Sequence, residues 1–247
     1  MKIVSWNCAG KFREDYKEIF KQNADIYVIP ECEDPKDGRE EYKEYKEFVE
    51  NFAGNNIFWK GDLHYKGLGV FLRKDFNVDE IKGLDENFKN FIALRVNDSF
   101  NLLGVWAMTI NDEKDTYVEM IHGYFDANYD KIFDENLIMC GDFNSNTIWD
   151  DDHKKYQDNY NNDKNHTNLN IKLNNKGLYS AYHNQYDEEQ GKETKPTFYL
   201  HYHLDEPSHI DYVYAKKGRI SKFEILDSEK WIDLSDHMPI VFEFEDV

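Results

Sequence analysis

Residues 2–30 read KIVSWNCAGKFREDYKEIFKQNADIYVIP, and this stretch decides the class of fold. The run 2–6 is short, β-branched and aromatic, which predicts a strand, and 25–30 predicts a second, buried strand. Between them, apolar residues at helical spacing predict an amphipathic helix over 12–22. Two buried strands joined by one helix form a βαβ unit, which favours parallel pairing through a right-handed crossover.

The rest of the chain alternates between predicted helices and strands. Helices are expected over 39–53, 115–133 and 167–176, and strands over 56–60, 67–73, 91–96, 101–108, 137–140, 197–202, 210–215, 221–226 and 239–244. The closely spaced strands between 56 and 108 predict an antiparallel meander, and the Asp/Asn-rich run 150–166 predicts an insertion loop. No linker divides the chain, so we expect one α/β domain over 1–247, with helices covering two packed mixed sheets.

Composition bounds the functional class. Of the 247 residues, 40% are apolar and 16% aromatic, which is enough for a substantial core and argues against disorder. The formal net charge is −19, whereas proteins that bind the DNA backbone are usually basic. Most of this acid is expected to form a solvated surface, and the rest suits cation binding or a small substrate held at one site.

Three cysteines, Cys8, Cys32 and Cys140, lie in apolar strand-like runs. An odd number argues against a disulfide framework, so we expect them to be buried thiols. The N-terminal sequence lacks signal-peptide features, and no apolar run approaches the length of a membrane span. We therefore expect a cytoplasmic monomer with no membrane span.

Polar residues follow five of the strand-like runs. They are Asn7, Glu31, Asp142 with Asn144, Asp211, and Asp236 with His237. Functional residues at strand ends, mounted on a rigid sheet, are a common way to build an active site. Taken singly, most also have a structural explanation, such as a turn at Asn7 or a satisfied core histidine at His237. Asp211 differs because it interrupts an apolar run, where a carboxylate costs free energy unless it is paired.

Six stretches together resemble the endonuclease/exonuclease/phosphatase family: WNCAG, PEC, KGLGVFL, GDFNSN, HIDYVYA and SDHMPI. The resemblance implies a DNase I-like four-layer α/β sandwich with its site at one edge of two paired sheets. It also implies hydrolysis of phosphate esters with Mg²⁺ or Mn²⁺ as the cofactor. Carboxylate and amide oxygens are the ligands that these hard cations prefer.

The resemblance also implies roles for these residues at a metal site. Glu31 is the first metal ligand, Asn7 lies beside it, and Asp236 contributes a ligand or an outer contact. Asp142 orients or deprotonates the attacking water, and Asn144 holds a non-bridging phosphate oxygen.

The histidine of the SDH stretch has an implied role at the phosphate. His237 contacts the scissile phosphate and stabilises the developing charge, while Asp211 accepts a hydrogen bond from its other ring nitrogen and raises its pKa. Whether Asp142 or His237 acts as the base is left open.

The chain departs from the family pattern at two positions. Many family nucleases carry an acid where this chain has Ala9, which puts a second metal site in question. Trp106 stands where the family often has His or Tyr; an indole donates one hydrogen bond but is not an acid. A substrate contact by Trp106 and a packed strand tryptophan are both open, and His122 is a candidate for the missing acid.

The histidine-rich stretch HYHLDEPSH (201–209) has two interpretations. It is either a polar loop that shapes the pocket, with His209 as a candidate substrate contact, or a soft-metal site, although its spacing matches no standard zinc pattern. Candidates for a basic rim that touches substrate phosphates are Lys192, Lys195, Lys216, Lys217 and Arg219.

Three functions follow. The first is a nuclease acting on DNA or RNA, which the overall style of the motifs favours. The second is a phosphatase or phosphodiesterase for a small or lipid-linked phosphate, which explains the acidity better. The third is a non-catalytic binding module, against which the complete set of polar residues argues.

Overall fold

The computed structural model describes residues 1–108, 117–133, 135–151 and 162–245. The strands are β1 Lys2–Ser5, β2 Ile26–Cys32, β3 Ile57–Leu63, β4 Lys66–Leu72, β5 Val78–Glu80, β6 Phe91–Val96, β7 Phe100–Trp106, β8 Ile138–Asp142, β9 Leu178–Ser180, β10 Phe198–Tyr199, β11 Pro207–Ser208, β12 Asp211–Lys216, β13 Ile220–Ile225 and β14 Ile240–Phe244. The helices are α1 Phe12–Phe20, α2 Lys43–Ala53, α3 Tyr117–Ile132, α4 His166–Asn175, α5 Ala181–Tyr186 and α6 Ser228–Trp231. None of these helices is long and apolar enough to cross a membrane.

Two mixed six-stranded sheets dominate the structure. Sheet one has the strand order β13-β14-β1-β2-β4-β3, and sheet two has the order β5-β6-β7-β8-β12-β9. In sheet one, β1 runs parallel to β2 with Ile3 opposite Ile26, as the βαβ pattern predicts. On its other side β1 pairs antiparallel with β14, so the first and last strands are neighbours.

The sheets pack face to face, and helices cover their outer faces. The layer between the sheets is built from alternate residues of both, such as Leu68 and Val70 of β4 against Ile92 and Leu94 of β6. Outside sheet one, α1 and α2 supply the next apolar layer. Outside sheet two, α3 and α4 do the same. The predicted four-layer α/β sandwich is confirmed, and its three free cysteines are buried as expected.

Helix α1 shows how the sequence produces this layering. Its residues Phe12, Tyr16 and Ile19 are buried, and their spacing places them on one side of the helix, against sheet one. Acidic residues in its first turn and Lys17 in its last turn complement the helix dipole.

The predicted single meander between 56 and 108 is wrong. Strands β3 and β4 form a hairpin in sheet one, whereas β5, β6 and β7 belong to sheet two. Both groups bury one face in the layer between the sheets. Alternation of apolar residues is the same whether two strands lie side by side or face each other, so the pattern did not distinguish the two arrangements.

Element bounds differ from the predicted ones mainly at short elements. Strands β5, β9 and β11 and helices α5 and α6 were not predicted, and the strand expected over 197–202 is the two-residue β10 followed by a 3₁₀ turn. Most of the predicted insertion loop, and the start of the helix expected from 115, lie outside the described residues.

Candidate active site

Three neighbouring strands of sheet two carry the centre of the site. Trp106 at the end of β7 lies opposite Asp142 at the end of β8, and Asp142 lies opposite Asp211 at the start of β12. Residues directly opposite each other point to the same face, which here is the layer between the sheets. The register therefore places an indole and two carboxylates in a row at one edge of the sandwich.

The approach of β8 to β7 requires a glycine before Asp142. Gly141 has φ +143°, and a Cβ atom there would lie 1.9 Å from the carbonyl oxygen of Val105. Only glycine allows the two backbones to come this close. The GDFN motif therefore begins with a packing requirement of the sheet.

His237 reaches this row from sheet one. Its Nδ1 lies 2.9 Å from Asp211 Oδ2, its amide donates to Ser235 Oγ at 3.0 Å, and its carbonyl accepts from the indole of Trp6 at 3.0 Å. Ser235 Oγ in turn donates to the carbonyl of Asn7 at 2.7 Å. These bonds fix the ring of His237 between the ends of the two sheets.

Amide groups hold both oxygens of Asp142. Asn7 Nδ2 donates to Asp142 Oδ2 at 3.0 Å, while the backbone and side-chain amides of Asn144 donate to Oδ1 at 2.9 Å and Oδ2 at 3.0 Å. Asn144 Nδ2 also donates to the carbonyl of Ala107 at 3.1 Å. Both of its side-chain hydrogens are thus used, so the predicted contact of Asn144 with a phosphate oxygen requires one of these bonds to be exchanged.

Burial and mutual charge shift the protonation of this group. Asp142, Asp211 and His237 are at most 5% exposed, and their ligand atoms lie within 4.8 Å of one another. Burial and the charge of Asp211 raise the pKa of Asp142 to about 7, against the opposing effect of His237. Burial lowers the pKa of His237, but the charge and hydrogen bond of Asp211 outweigh it and raise that pKa to about 10. These shifts favour an imidazolium at His237 paired with Asp211, and they make the carboxyl of Asp142 easier to protonate than an ordinary aspartate.

Glu31 lies at the same edge, on sheet one. It occupies a β-bulge between Ile29 and Cys32 and has left-handed backbone, with φ 64°. A bulge re-aims the side chain that it carries, and bulges are common beside active sites. The carboxylate of Glu31 lies 2.9 Å from Lys66 Nζ.

The chemistry of Glu31, Asp236 and Asn7 suits a hard divalent cation. Burial raises the pKa of Asp236, His237 opposes this, and the negative charge of Glu31 raises it further, so the two carboxylates are electrostatically close. Asn7 Oδ1 accepts from the amide of Ala9 at 3.0 Å and keeps a second lone pair. Two carboxylates and an amide oxygen are ligands that Mg²⁺ and Mn²⁺ accept. Asp142, Asp211 and His237 are also close enough to hold an ion, but the Nδ1 of His237 is already paired with Asp211.

Trp106 and His209 have different surroundings beside Asp142 and Asp211. The Trp106 side chain is 4% exposed, and its Nε1–H has no partner within the part of the chain that the structure describes. His209 is buried in an aromatic cluster, with ring centroids 4.4 Å from Tyr182 and 4.9 Å from Tyr212. Its Nδ1 is hydrogen-bonded to the carbonyl of Lys195 at 2.9 Å. This packing favours a structural role for His209 over a substrate contact.

The interpretation of His122 as a proton donor is wrong. This residue lies on α3, which covers the outer face of sheet two, so the sheet separates it from Asp142. Its Nε2 lies 3.0 Å from the carbonyl of Asn165, and burial lowers its pKa. A buried helical histidine has the same sequence signature as a catalytic one.

The predicted basic rim is also wrong for the residues after β12. Asp211 begins this strand at the site, and Lys216 ends it. Five residues of extended chain place Lys216 roughly 17 Å away, and Lys217 and Arg219 follow it. Lys192, also predicted for the rim, is exposed and paired with Glu189.

Sequence analysis missed Lys66 and two hydroxyl residues that organise the site. Ser235 links Asn7 to His237, and Thr197 Oγ1 accepts from the amides of Ile210 and Asp211 at 3.0 Å each. One signal was present for Lys66, because apolar alternation along KGLGVFL places 66, 68 and 70 on one face.

Comparisons with known proteins identify the family and agree with the fold. A model of the Endonuclease/Exonuclease/phosphatase family matches residues 4–237. No curated protein matches the chain by sequence.

Solved structures of similar fold cover the whole length of the chain. A 3′ phosphatase, NExo from Neisseria, bound to a product DNA hairpin, matches with a TM-score of 0.68 and 18% identity over 99% of both chains. An AP endonuclease from Archaeoglobus fulgidus matches with a TM-score of 0.64 and 17% identity, again over 99% of both chains. At these identities the likeness establishes the fold alone.

Proposed function

Because this chain belongs to the endonuclease/exonuclease/phosphatase family, and is therefore a phosphoesterase, we propose that it is a divalent-metal-dependent phosphodiester hydrolase acting on DNA or RNA. The observation that supports this most is geometric: buried His237 pairs with Asp211 at 2.9 Å, and the ligand atoms of both lie within 4.8 Å of buried Asp142. This arrangement offers one group to accept a proton and one to hold an anion at the same edge.

The attacking water is assigned to Asp142. A general base works best when its pKa lies near the operating pH, and about 7 meets that condition. Asn7 and Asn144 hold both carboxylate oxygens, so the base has a fixed orientation. General-base catalysis of this kind contributes roughly 10²–10⁴ in rate.

The phosphate is assigned to His237. Phosphoryl transfer places negative charge on the non-bridging and leaving oxygens, and catalysis consists mainly of positioning and electrostatic stabilisation. Nδ1–H donates to Asp211, which directs Nε2–H to a non-bridging oxygen as an imidazolium donor. Trp106 is assigned a second contact, because a buried N–H without a partner costs about 1–3 kcal/mol that a substrate oxygen would recover.

Glu31, Asp236 and the Oδ1 of Asn7 would hold the divalent cation. When bound, a Mg²⁺ or Mn²⁺ ion supplies Lewis-acid neutralisation of charge on the phosphate. The chain's own residues then orient the ester, accept the proton of water at Asp142 and donate hydrogen bonds from His237.

The test is turnover of a set of phosphate esters with Mg²⁺ or Mn²⁺. We expect the purified chain to cleave single-stranded DNA, duplex DNA or RNA, and we expect His237→Ala to lose about 10³-fold or more in kcat/KM. His64→Ala is the matched control, because the side chain of His64 is exposed and its ring lies against that of Tyr65, with 5.3 Å between the centroids. Wild-type activity in His237→Ala would show that the cleavage comes from a contaminant or another site.

A second candidate is a phosphatase for a terminal or small phosphate ester. The net charge of −19 favours it, because a polyanionic substrate is repelled by an acidic protein. The structure from Neisseria described as a 3′ phosphatase adds a precedent within the fold. Release of inorganic phosphate from monoesters, without polymer cleavage, would select this candidate. If no ester is turned over and calorimetry detects no metal binding, the remaining candidate is a non-catalytic binding module.

A further inference from the structure

Lys66 lies at the rim of the gap between the two sheets. It is the first residue of β4, and the alternation that buries Leu68 and Val70 between the sheets puts Lys66 on the same face. Its side chain is 38% exposed. Because Lys66 is the first residue of this buried face and its side chain is long and flexible, its ammonium can reach both sheets at the edge of the gap.

The ammonium group of Lys66 bridges the two halves of the site. Its Nζ lies 2.9 Å from Glu31 Oε2 on sheet one and 5.6 Å from the ring centroid of Trp106 on sheet two. Trp106 is directly opposite Asp142 in the sheet register. The ammonium therefore lies between Glu31, the candidate metal ligand, and Trp106, the strand neighbour of the candidate base.

Glu31 is the fixed partner of this ion pair, and Lys66 is the movable one. The bulge and the left-handed backbone of Glu31 aim its carboxylate, and such backbone is kept only where the surroundings determine it. A half-exposed lysine ion pair is weak and is easily exchanged. A divalent cation that binds Glu31 repels the ammonium that lies 2.9 Å from the same carboxylate, so the two cations compete for it.

We propose that Lys66 is an exchangeable counter-ion for the site. It neutralises Glu31 when no divalent cation is bound, yields that carboxylate to the cation, and then binds the phosphate of the substrate. This inference rests on the proposed function. Once Lys66 has left Glu31, its ammonium needs another anion, because the face of the Trp106 ring binds an ammonium only weakly. The phosphate of the substrate is that anion.

Mn²⁺ binding tests the exchange without any need for activity. We expect Lys66→Met to lower the Kd for Mn²⁺, measured by calorimetry without substrate, by about threefold to tenfold. Lys60→Met is the matched control, because Lys60 is 37% exposed and pairs with Glu80 at 3.0 Å; its Kd should stay within about twofold of wild type. Glu31→Gln should weaken Mn²⁺ binding, and this would show that the measured heat comes from Mn²⁺ binding at this site.

Kinetics at saturating Mn²⁺ test the phosphate contact. We expect Lys66→Met to raise KM for a phosphodiester about tenfold with kcat within about threefold, and Lys66→Arg to restore most of the KM. Thermal melts of each variant serve as the folding check.

The outcomes separate this inference from the proposed function. If the wild type turns over esters and its Mn²⁺ binding depends on Glu31, but Lys66→Met behaves as Lys60→Met does, the exchange is overturned and the function stands. An unchanged KM overturns the phosphate contact. If Glu31→Gln leaves Mn²⁺ binding unchanged, both the metal assignment and the exchange are overturned, whatever the turnover.

Discussion

The buried position of Asp142 is unfavourable for its ionised carboxylate. It is 1% exposed, and both burial and the neighbouring charge of Asp211 favour its protonated form. Three donated hydrogen bonds from Asn7 and Asn144 offset part of this cost. An ionised carboxylate here therefore lowers the free energy of unfolding, and the proposed role of Asp142 as a base gives a reason for its retention.

Asp142→Asn is expected to stabilise the protein as pH rises. The pKa of Asp142 is about 7 in the folded protein against an ordinary 3.8, so the folded state binds the proton more tightly. Stability contributed by that proton is lost as pH rises from about 4 to about 7. At pH 8 the variant should therefore gain about 1–3 kcal/mol, a rise in Tm of several degrees, and the gain should shrink by pH 5.

Thermal melts at pH 5, 6.5 and 8 measure this difference. Asp79→Asn is the control, since Asp79 is exposed and the same change there should leave Tm nearly constant. A lower Tm for Asp142→Asn at pH 8 would contradict the prediction.

Asp211→Asn should lower the pKa of His237. Asp211 raises the pKa of His237 to about 10 by its charge and its hydrogen bond, both against burial. With an uncharged amide in its place, that pKa should fall towards or below its ordinary 6.5. Histidine ring shifts measured by NMR across pH 5–10 report the change. A His237 that still carries its proton at pH 9 in the variant would show that another group holds the charge.

Loss of the imidazolium has a kinetic consequence as well. At pH 8 the Asp211→Asn variant should lose about 10²–10⁴ in kcat, because a neutral ring stabilises phosphate charge less. KM should change much less, since the metal ligands and Lys66 are intact.

At the scale of strands, the site is set by where β7 and β8 end and where β12 begins. The positions of Asp142, Asp211 and His237 beside strands were predictable, because short apolar runs locate the strands and a polar residue marks one limit of each. The far placement of Lys216 was also implicit, since a strand carries its two ends to opposite edges of a sheet. The partner of each strand was not predictable, because alternation records a buried face and not the neighbour.

Gly141→Ala is expected to break the junction of β7 and β8. A Cβ there would lie 1.9 Å from the carbonyl oxygen of Val105, so the strands must separate. We expect a loss of about 3 kcal/mol or more in the free energy of unfolding, from overpacking together with backbone strain. Urea denaturation measures it.

Gly177→Ala is the matched control for that substitution. Gly177 also has positive φ, at +79°, but nothing lies within 4 Å of an added Cβ. Its expected cost is about 1 kcal/mol, from backbone strain alone. Equal losses in the two variants would mean that the close approach of β7 contributes nothing.

The whole molecule is strongly acidic, yet its proposed substrate is a polyanion. The chain has a net charge of −19, whereas His237 and Lys66 place cationic groups among the carboxylates of the site. Composition alone revealed this conflict but not its resolution, because which lysine reaches the site depends on packing between sheets. The sequence resemblance predicted the fold and named the candidate carboxylates. The position of Lys66 beside them became visible only in the three-dimensional structure.

Monovalent salt should therefore improve binding of long substrates. Between about 20 and 150 mM salt the Debye length shrinks to about 8 Å, which screens repulsion between the acidic surface and distant phosphates. At fixed free Mn²⁺, KM for a single strand of about 30 nucleotides should fall, while KM for a dinucleotide should change less than about twofold. A steep rise of KM with salt for the long strand, as basic proteins show, would reveal a cationic track on the surface.

The pairing of β1 with both β2 and β14 has a consequence for synthesis of the protein. Asn7 is synthesised long before His237, yet the two are linked through Ser235 in the folded protein. A chain that stops before Ser235 lacks both the hydroxyl that bonds the carbonyl of Asn7 and the imidazole that pairs with Asp211. On the proposed function, we therefore expect turnover only from chains in which β14 has paired with β1.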